Sequence, residues 1–439
     1  MIIFILIFSS LFSILGLWYE INNLVKYKNL TTSSLVGIMF ILTYGVLPFI
    51  VICMYRFYGI SISTRHYQYD YSDNGLVQTF MWQISGVIAY IIIRRITRKA
   101  NRVSYKKAPA ADYSLLQVTL CISLIVGVVS LYLWSKAFGS ITNLIIVASR
   151  VRSGLINVNN GLAFFKHPAR LVLITTFGSL VLAKKKYNVL FNSIVFFISF
   201  SFSILFLMAN DGRMSFAMYF AVIFSIIFDV FSVGKFIKKR LLCLFIMALL
   251  GMIFILKLDS ITYFIRYGTF ESATETPFLV SVVNEFAYVM ISGQKAIEHA
   301  STFNFLIADD ILNGLQAWLP TSLKPFDVLN IWNYNTILTT NDFFGQFPCD
   351  FASTSLYDLS FVGSLVFGVF WGMILKKIEV LRNKNSTFSD VCYYAFSTSL
   401  FRLVDYCMLY DFVLGIFSAT IFVLIYSTVR ILFVRKNIK

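Results

Sequence analysis

The chain contains 439 residues, of which 58% are hydrophobic and 13% are charged, and its mean hydropathy is +0.77. A soluble domain carries about 25% charged residues, so this composition excludes an ordinary soluble protein. The net charge of +16 does not indicate a nucleic acid partner. Most of the lysines and arginines lie in short connections and in the C-terminal tail, where they are typical orientation signals of a membrane protein.

The apolar residues occur in blocks of about 20, the length of a helix that crosses the hydrocarbon core of a bilayer. The ten-residue alternation of a transmembrane barrel is absent. We therefore predict an all-α polytopic membrane protein with about 11 transmembrane helices, in a range of about 10–12. The predicted spans are 1–19, 34–55, 76–93, 114–135, 169–183, 187–208, 214–232, 241–258, 355–375, 388–410 and 412–432.

The connections between these spans alternate in charge. Those at 94–113, 184–186, 234–240 and 376–386 are strongly basic, and the connections between them carry few positive charges. Because basic connections stay in the cytoplasm, we expect the C-terminus inside and the N-terminus outside. The six cysteines fall mostly inside apolar runs and lack the spacing of metal ligands, so we interpret them as small buried hydrophobic residues and expect no metal site.

Two connections on the predicted outer side are long, and they divide the chain into three parts. An N-terminal eight-span bundle, 1–258, contains a basic outer loop at 136–168. A large outer loop follows at 259–354, and a three-span bundle with a cytoplasmic tail occupies 355–439. The large loop is rich in acidic residues, and helical apolar spacing at 277–299 and 308–320 predicts that it is partly helical.

Arginines on the predicted outer side oppose the orientation rule, so they need an explanation. The planar guanidinium group binds two oxygens of a phosphate or pyrophosphate at once, whereas the alternative role is anchoring to anionic lipid headgroups. We favour pyrophosphate binding, because several residues oppose the rule together. The candidates are Arg150, Arg152, Arg213 and Arg266, with Lys166, His167 and Arg170 beside the first loop.

Ionisable residues inside predicted spans are a second set of candidates. Arg402 and Asp405 lie three residues apart in span ten, which predicts one helix face and mutual neutralisation. Such a pair marks a site lining a cavity or simply locks the bundle together, and both interpretations stay open. Asp358, near the outer start of span nine, is a similar candidate.

Three residues on the outer side are candidates for a general base. His299 titrates near neutral pH, and Glu285 and Asp350 are carboxylates that can accept a hydroxyl proton. A lone histidine in a loop is also compatible with simple solvation. No Asp-x-Asp, glycine-rich phosphate loop, HExxH or serine elbow occurs in the sequence, which disfavours enzymes that use nucleotide substrates or zinc.

The layout as a whole resembles the Wzy-type O-antigen polymerases, also called oligosaccharide repeat unit polymerases. The stretch "NDGRMSFAMYFAVIF" (210–224) is similar to the family's polar turn that leads into an apolar helix. The stretch "PCDFASTSLYDLSFVGSLVFGVFWGMIL" (348–375) is similar to its proline-led entry into a glycine-rich late span. Arg150 is followed eleven residues later by Gly161, a spacing that some members carry in their outer loops, whereas Pro277 stands at that distance from Arg266.

The resemblance implies a membrane glycosyltransferase with a helical fold similar to that of GT-C enzymes, acting at the periplasmic face of the bacterial inner membrane. The growing glycan leaves its undecaprenyl pyrophosphate and is joined to a sugar hydroxyl of the incoming lipid-linked unit, without metal or cofactor. The outer arginines would hold the pyrophosphate, and Glu285, His299 or Asp350 would take the hydroxyl proton. The implied partners are the lipid-linked oligosaccharide, the bilayer, and a chain-length regulator and flippase of the same pathway.

Two other functions stay open. An O-antigen ligase displaces the same pyrophosphate with arginines and a histidine in a large outer loop, and His299 is compatible with it. A lipid-linked oligosaccharide flippase needs charged residues along a central cavity and short loops on both sides. Few charges lie inside the spans and one loop is long, so a polymerase is the function that we favour.

Overall fold

A computed structural model describes most of the chain. The described residues are 1–27, 30–62, 68–98, 110–152, 156, 161–210, 213–230, 280, 283–284, 286–319, 323–341, 347–382 and 386–438. Within these ranges the chain is helical and contains no β-strand. The prediction of an all-α polytopic membrane protein is therefore confirmed at the level of fold class.

The helices are numbered in chain order. They are α1 (Ile2–Tyr27), α2 (Thr32–Ile41), α3 (Leu47–Tyr58), α4 (Asp73–Thr97), α5 (Ala110–Lys136), α6 (Ile141–Arg152), α7 (Lys166–Ala169), α8 (Leu171–Lys184), α9 (Val189–Ala209), α10 (Arg213–Val230), α11 (Tyr288–Ala300), α12 (Ile307–Leu315), α13 (Ile331–Thr340), α14 (Phe351–Leu359), α15 (Gly363–Arg382), α16 (Thr387–Phe401) and α17 (Leu409–Ile438). A π-helical turn, Leu42–Val46, joins α2 to α3, and short 3-10 turns precede α7 and α15.

Seven helical segments in the described part of the chain are long and apolar enough to cross a membrane. They are Ile2–Lys26, Thr32–Tyr58, Asp73–Thr97, Asp112–Lys136, Val189–Ala209, Phe351–Arg382 and Leu409–Phe433, and they coincide with seven of the predicted spans. Helix α10 contains a shorter apolar stretch, Ser215–Ile227, and α8 has 14 residues. The predicted span 241–258 lies outside the described residues, so the count of 11 stays a prediction.

The predicted span 388–410 is interrupted. Helix α16 ends at Phe401 and α17 begins at Leu409, because the backbone between them makes tertiary hydrogen bonds instead of continuing the helix. The amide of Phe351 donates to the carbonyl oxygen of Val404 at 2.8 Å, and the amide of Cys407 donates to the carbonyl oxygen of Cys349 at 3.0 Å. Arg402 and Asp405 therefore lie in a turn, and the prediction that they share one helix face is wrong.

Ion pairs join several helices at one end of the bundle. Arg94 in α4 binds Glu20 in α1, with Nε 2.7 Å from Oε1, and both side chains are buried. The Nζ atom of Lys185, just after α8, lies 3.5 Å from Oδ2 of Asp390 in α16. We call this the basic end, because α4, α8 and α15 end here in residues that belong to the predicted basic connections. The helix ends grouped here are those that the charge alternation places on one side of the membrane.

The opposite end, which we call the loop end, carries the helices of the long second connection. Hydrogen bonds from its side chains hold this connection on the bundle. Gln294 in α11 donates through Nε2 to the carbonyl oxygens of Asp70 (2.8 Å) and Gly75 (3.0 Å) at the start of α4. The indole of Trp318, just after α12, donates to the carbonyl oxygen of Val413 in α17 at 2.9 Å. Helices α11 and α12 overlap the two stretches predicted to be helical, 277–299 and 308–320, and they pack on the bundle.

The α-helix is broken between α14 and α15. Ser360 adopts a positive φ of 53°, and its hydroxyl donates to the carbonyl oxygen of Ala300 at 2.8 Å. A Cβ atom on Gly363 would overlap the backbone carbonyl of Ser355, so the first turn of α15 passes this carbonyl only with glycine at that position. The residues from Phe351 to Asp358 in α14 are buried.

Candidate functional site

A cleft at the loop end lies between the ends of α8, α9, α10, α16 and α17. Its charged lining residues are Arg170, Arg402 and Asp411, and its polar lining residues include Asn210, Ser215, Tyr219, Thr398, Ser399, Tyr406 and Ser418. The cavity volume is about 70 Å³. Because one water needs about 10–15 Å³ in this measure, the cleft has room for several waters or for one phosphate-sized group.

Arg402 is positioned by the turn that interrupts the predicted span. Its Nη2 atom lies 3.1 Å from Oδ2 of Asp411, and the side chains are 21% and 17% exposed. The guanidinium carbon also lies 5.4 Å from the ring centroid of Tyr406. Within the described part of the chain, Nε of Arg402 has no hydrogen-bond partner. The guanidinium group is therefore held in place while part of its donor capacity remains for a ligand.

Arg170 immediately precedes α8 and faces the same charges. Asp411 attracts it and Arg402 repels it. With two arginines and one aspartate among its lining residues, the cleft has a net positive charge. Asp411 lies in the first turn of α17, where a carboxylate is stabilised by the helix dipole. A hydrogen bond to a charged group contributes about 1.5–3 kcal/mol, so two arginines are sufficient to select an anion.

Further cations surround the cleft. The Nζ atom of Lys324 lies 5.1 Å from the ring centroid of Tyr410, and Ser418, which lines the cleft, donates to the carbonyl oxygen of His167 at 3.1 Å. Burial, together with the positive charges of Arg170, Lys166 and Lys324, lowers the pKa of His167 to about 3. The imidazole is therefore neutral at physiological pH, and three cations lie close enough to contribute to that shift.

The predicted pairing of Arg402 with Asp405 is not formed, because each side chain has another partner. Arg402 lines the cleft with Asp411, whereas Oδ1 of Asp405 accepts a hydrogen bond from Thr43 at 2.7 Å. Thr43 belongs to the π-helical turn between α2 and α3, and such turns occur frequently at functional sites. Of the two predicted residues, Arg402 belongs to the cleft and Asp405 contacts the neighbouring helix pair.

Asp350 is a buried carboxylate that accepts hydrogen bonds from several helices, and it is not accessible to a ligand. It caps α14 and accepts hydrogen bonds from Tyr44 Oη (2.6 Å), from Trp82 Nε1 (2.9 Å) and from the Ser353 hydroxyl. Its side chain is fully buried, and it does not line the cleft. These donors occupy the lone pairs that a general base needs, so the geometry does not support the predicted catalytic role.

Both ring nitrogens of His299 are likewise hydrogen-bonded within the protein. Its Nδ1 atom lies 2.9 Å from the hydroxyl oxygen of Tyr334, and its Nε2 atom lies 3.0 Å from the carbonyl oxygen of Asn304. The carbonyl accepts from Nε2–H, so Nδ1 accepts from the tyrosine hydroxyl. Burial lowers the pKa of His299. The neutral ring connects α11 to α13 and is buried away from the cleft, which does not support its predicted role as a base.

The other residues predicted for the site are not found among the described residues that line the cleft. Arg150 is exposed on α6 and does not line the cleft. Arg152 ends α6 and Arg213 begins α10, and their side chains lie outside the described residues. Helix α10 does contribute Ser215, Met218 and Tyr219 to the cleft. Arg266 and Glu285 lie outside the described residues, so their predicted roles stay predictions.

Two further carboxyl groups are buried at the loop end without lining the cleft. Asp310 in α12 accepts a backbone hydrogen bond from Leu409, and burial raises its pKa to about 6. Both carboxyl oxygens of Asp358 in α14 lack a hydrogen-bond partner in the described part of the chain. Asp310 and Asp358 influence each other electrostatically, so two acids share one apolar environment.

The sequence predicts Arg402 as a site residue but gives it the wrong partner. Its partner in the structure, Asp411, is not among the predicted residues. A signal is present in the sequence, because Asp411 immediately precedes the last predicted span, 412–432, on the predicted outer side. No group of three or more metal-ligating side chains is found among the described residues. Neither a known protein family, nor a curated protein, nor a solved structure matches this chain.

Proposed function

We propose that this protein is a membrane glycosyltransferase that polymerises lipid-linked oligosaccharide repeat units, as the resemblance to Wzy-type polymerases implies. The observation that supports it is the cleft in which Arg170 and Arg402 face one phosphate-sized cavity. The cleft lies at the end of the bundle opposite the basic connections, which the orientation rule assigns to the outer face.

In this proposal, the cleft holds the pyrophosphate of an undecaprenyl-linked glycan. The two guanidinium groups neutralise the charge that develops on the leaving pyrophosphate, which lowers the free energy of the transition state. The glycan lies outside the small cavity, beside α12. Trp318 is 41% exposed there and its ring centroid lies 5.4 Å from that of Phe417, which supports stacking against a sugar face.

The proposal also specifies a cellular setting. The protein is a multi-pass component of the bacterial inner membrane whose cleft faces the periplasm, where lipid-linked units accumulate. It works with a flippase that supplies these units and with a chain-length regulator. Neither a nucleotide nor a metal is part of the proposal, since the pyrophosphate ester already activates the sugar.

The test is a lipopolysaccharide gel of the host strain with this reading frame deleted and then complemented. We expect the deletion to remove the ladder of long chains and to leave a band of core plus one repeat unit, and the complemented strain to recover the ladder. Complete loss of attached repeat units would indicate a ligase or a flippase instead. An unchanged ladder would contradict every role in this pathway.

A further inference from the structure

One carboxylate shares the cleft with the two arginines. Among the described residues that line the cavity, Asp411 is the acidic one. Asp350, Asp405, Asp310 and Asp358 are buried at the loop end and do not line the cavity, and the exposed Glu298 does not line it either. Asp411 is therefore the acid that a substrate in the cleft can reach.

Asp411 interacts with both arginines of the cleft. Its Oδ2 atom lies 3.1 Å from Nη2 of Arg402, and it also attracts Arg170. A bound phosphate competes for the same two guanidinium groups and brings more negative charge than the carboxylate does. Once the phosphate binds both guanidinium groups, the carboxylate of Asp411 leaves the ion pair, and its oxygens can accept a hydrogen bond from a substrate hydroxyl. Binding of the donor thus converts Asp411 from an ion-pair partner into a proton acceptor.

We infer that Asp411 is the general base that deprotonates the acceptor sugar hydroxyl, an inference that rests on the proposed function. The acceptor oxygen forms a bond to the anomeric carbon of the donor glycan while its proton passes to Asp411. The bond between that carbon and the pyrophosphate oxygen breaks, and its electron pair leaves with the pyrophosphate, which Arg170 and Arg402 hold. A single displacement of this kind inverts the configuration at the anomeric carbon.

The alternative is that Asp411 only orients Arg402 and takes no proton. The role as base and the role in orientation predict different effects of Asp411→Asn. Asparagine is of equal size, keeps a polar contact and removes the negative charge. If Asp411 competes with phosphate, its neutralisation leaves the affinity for pyrophosphate equal to or higher than that of the wild type. If Asp411 orients Arg402, the affinity falls together with the transfer rate.

The experiment uses the full-length protein in lipid nanodiscs and two measurements. The first is the affinity for undecaprenyl pyrophosphate without a glycan, and the second is single-turnover transfer between lipid-linked repeat units as a function of pH. For Asp411→Asn we expect undiminished affinity and transfer reduced about 100-fold or more. We also expect the rate of the wild type to decline at acid pH, as a reaction with a general base does, and the residual rate of Asp411→Asn not to show this decline. Asp411→Glu should recover part of the transfer. Glu298→Gln, at an exposed acid of the loop end, is the matched control and should behave as wild type.

The outcomes separate this inference from the function on which it rests. Transfer at the wild-type rate by Asp411→Asn, or a parallel loss of affinity and transfer, would overturn the role as base while leaving the polymerase proposal intact. Retention of configuration at the anomeric carbon would overturn the single displacement. Failure of the wild-type protein to bind undecaprenyl pyrophosphate would overturn the proposed function and this role with it.

Discussion

At the scale of single residues, the loop end separates side chains that hold the fold from side chains that are open to a ligand. Asp350 and His299 have the residue types of catalytic groups, but their hydrogen-bonding atoms are occupied within the protein. Arg402 and Asp411 are partly exposed in a cavity. Accessibility of the reactive atoms, more than residue type, therefore distinguishes the candidate site from its surroundings.

Asp350 is expected to control stability rather than catalysis. Replacing it with alanine removes the cap of α14 and leaves Trp82 Nε1 and Tyr44 Oη buried without an acceptor, which costs about 1–3 kcal/mol for each group. We expect Asp350→Ala to lower the thermal unfolding midpoint of the purified protein by a large margin, and Asp350→Asn to lower it less. Glu298→Ala, at an exposed position, is the control. An unchanged midpoint with lost transfer would restore the catalytic role of Asp350.

His167 predicts a particular pH dependence. The unfolded chain protonates this imidazole near pH 6.5, whereas the folded protein does so only near pH 3. Between these values the unfolded state binds one more proton, so stability falls as the pH is lowered. At pH 5 the loss is on the order of 2 kcal/mol relative to pH 7. The measurement is the unfolding midpoint of the wild type and of His167→Gln at several pH values. As the pH falls, the midpoint of the wild type should decrease relative to that of the variant. A difference independent of pH would contradict the depressed pKa.

At the scale of elements, the apolar runs were sufficient to predict where most helices lie. The predicted span 34–55 lies inside the observed segment Thr32–Tyr58, and 412–432 lies inside Leu409–Phe433. Each is set by local composition, because a bilayer requires a continuous apolar helix. The break after Phe401 could not be predicted, because its cause is pairing with residues near Cys349, about fifty positions away in the chain. The partner of Arg402 depends on that break, so the site could be predicted only in part.

The junction of α14 and α15 allows a direct test of an element boundary. Gly363→Ala introduces a Cβ atom that overlaps the carbonyl oxygen of Ser355, a backbone atom that cannot rotate away. We expect a loss of about 2–3 kcal/mol, measured as a lower unfolding midpoint. Gly161→Ala is the matched control, because nothing lies within 4 Å of a Cβ atom there. Equal midpoints for the two variants would contradict the described path of the chain through Ser360.

At the scale of the whole molecule, the two ends of the bundle differ in charge and in packing. Ion pairs join helices at the basic end, and α11, α12 and α13 cover the loop end. The positive-inside rule assigns the basic end to the cytoplasm. The proposed function requires this orientation, because the lipid-linked donor has to reach the cleft from the periplasm.

The orientation can be measured with single cysteines in a variant that lacks the six native ones. We expect Glu298→Cys at the loop end to react with a membrane-impermeant maleimide in cells with a permeabilised outer membrane. Arg430→Cys, exposed near the end of α17, should react only after the inner membrane is opened. The reverse pattern would place the cleft in the cytoplasm and would rule out the proposed donor.

The central claim is that the arginines of the cleft bind the pyrophosphate of the donor. Its most direct test is the lipopolysaccharide ladder of the deletion strain complemented with Arg402→Ala or Arg170→Ala, beside the control Arg56→Ala at an exposed position outside the cleft. Equal amounts of each protein in the membrane are verified by immunoblot. We predict that both cleft variants leave only core plus one repeat unit and that Arg56→Ala restores the full ladder. A full ladder from Arg402→Ala and Arg170→Ala at normal protein levels would contradict the account.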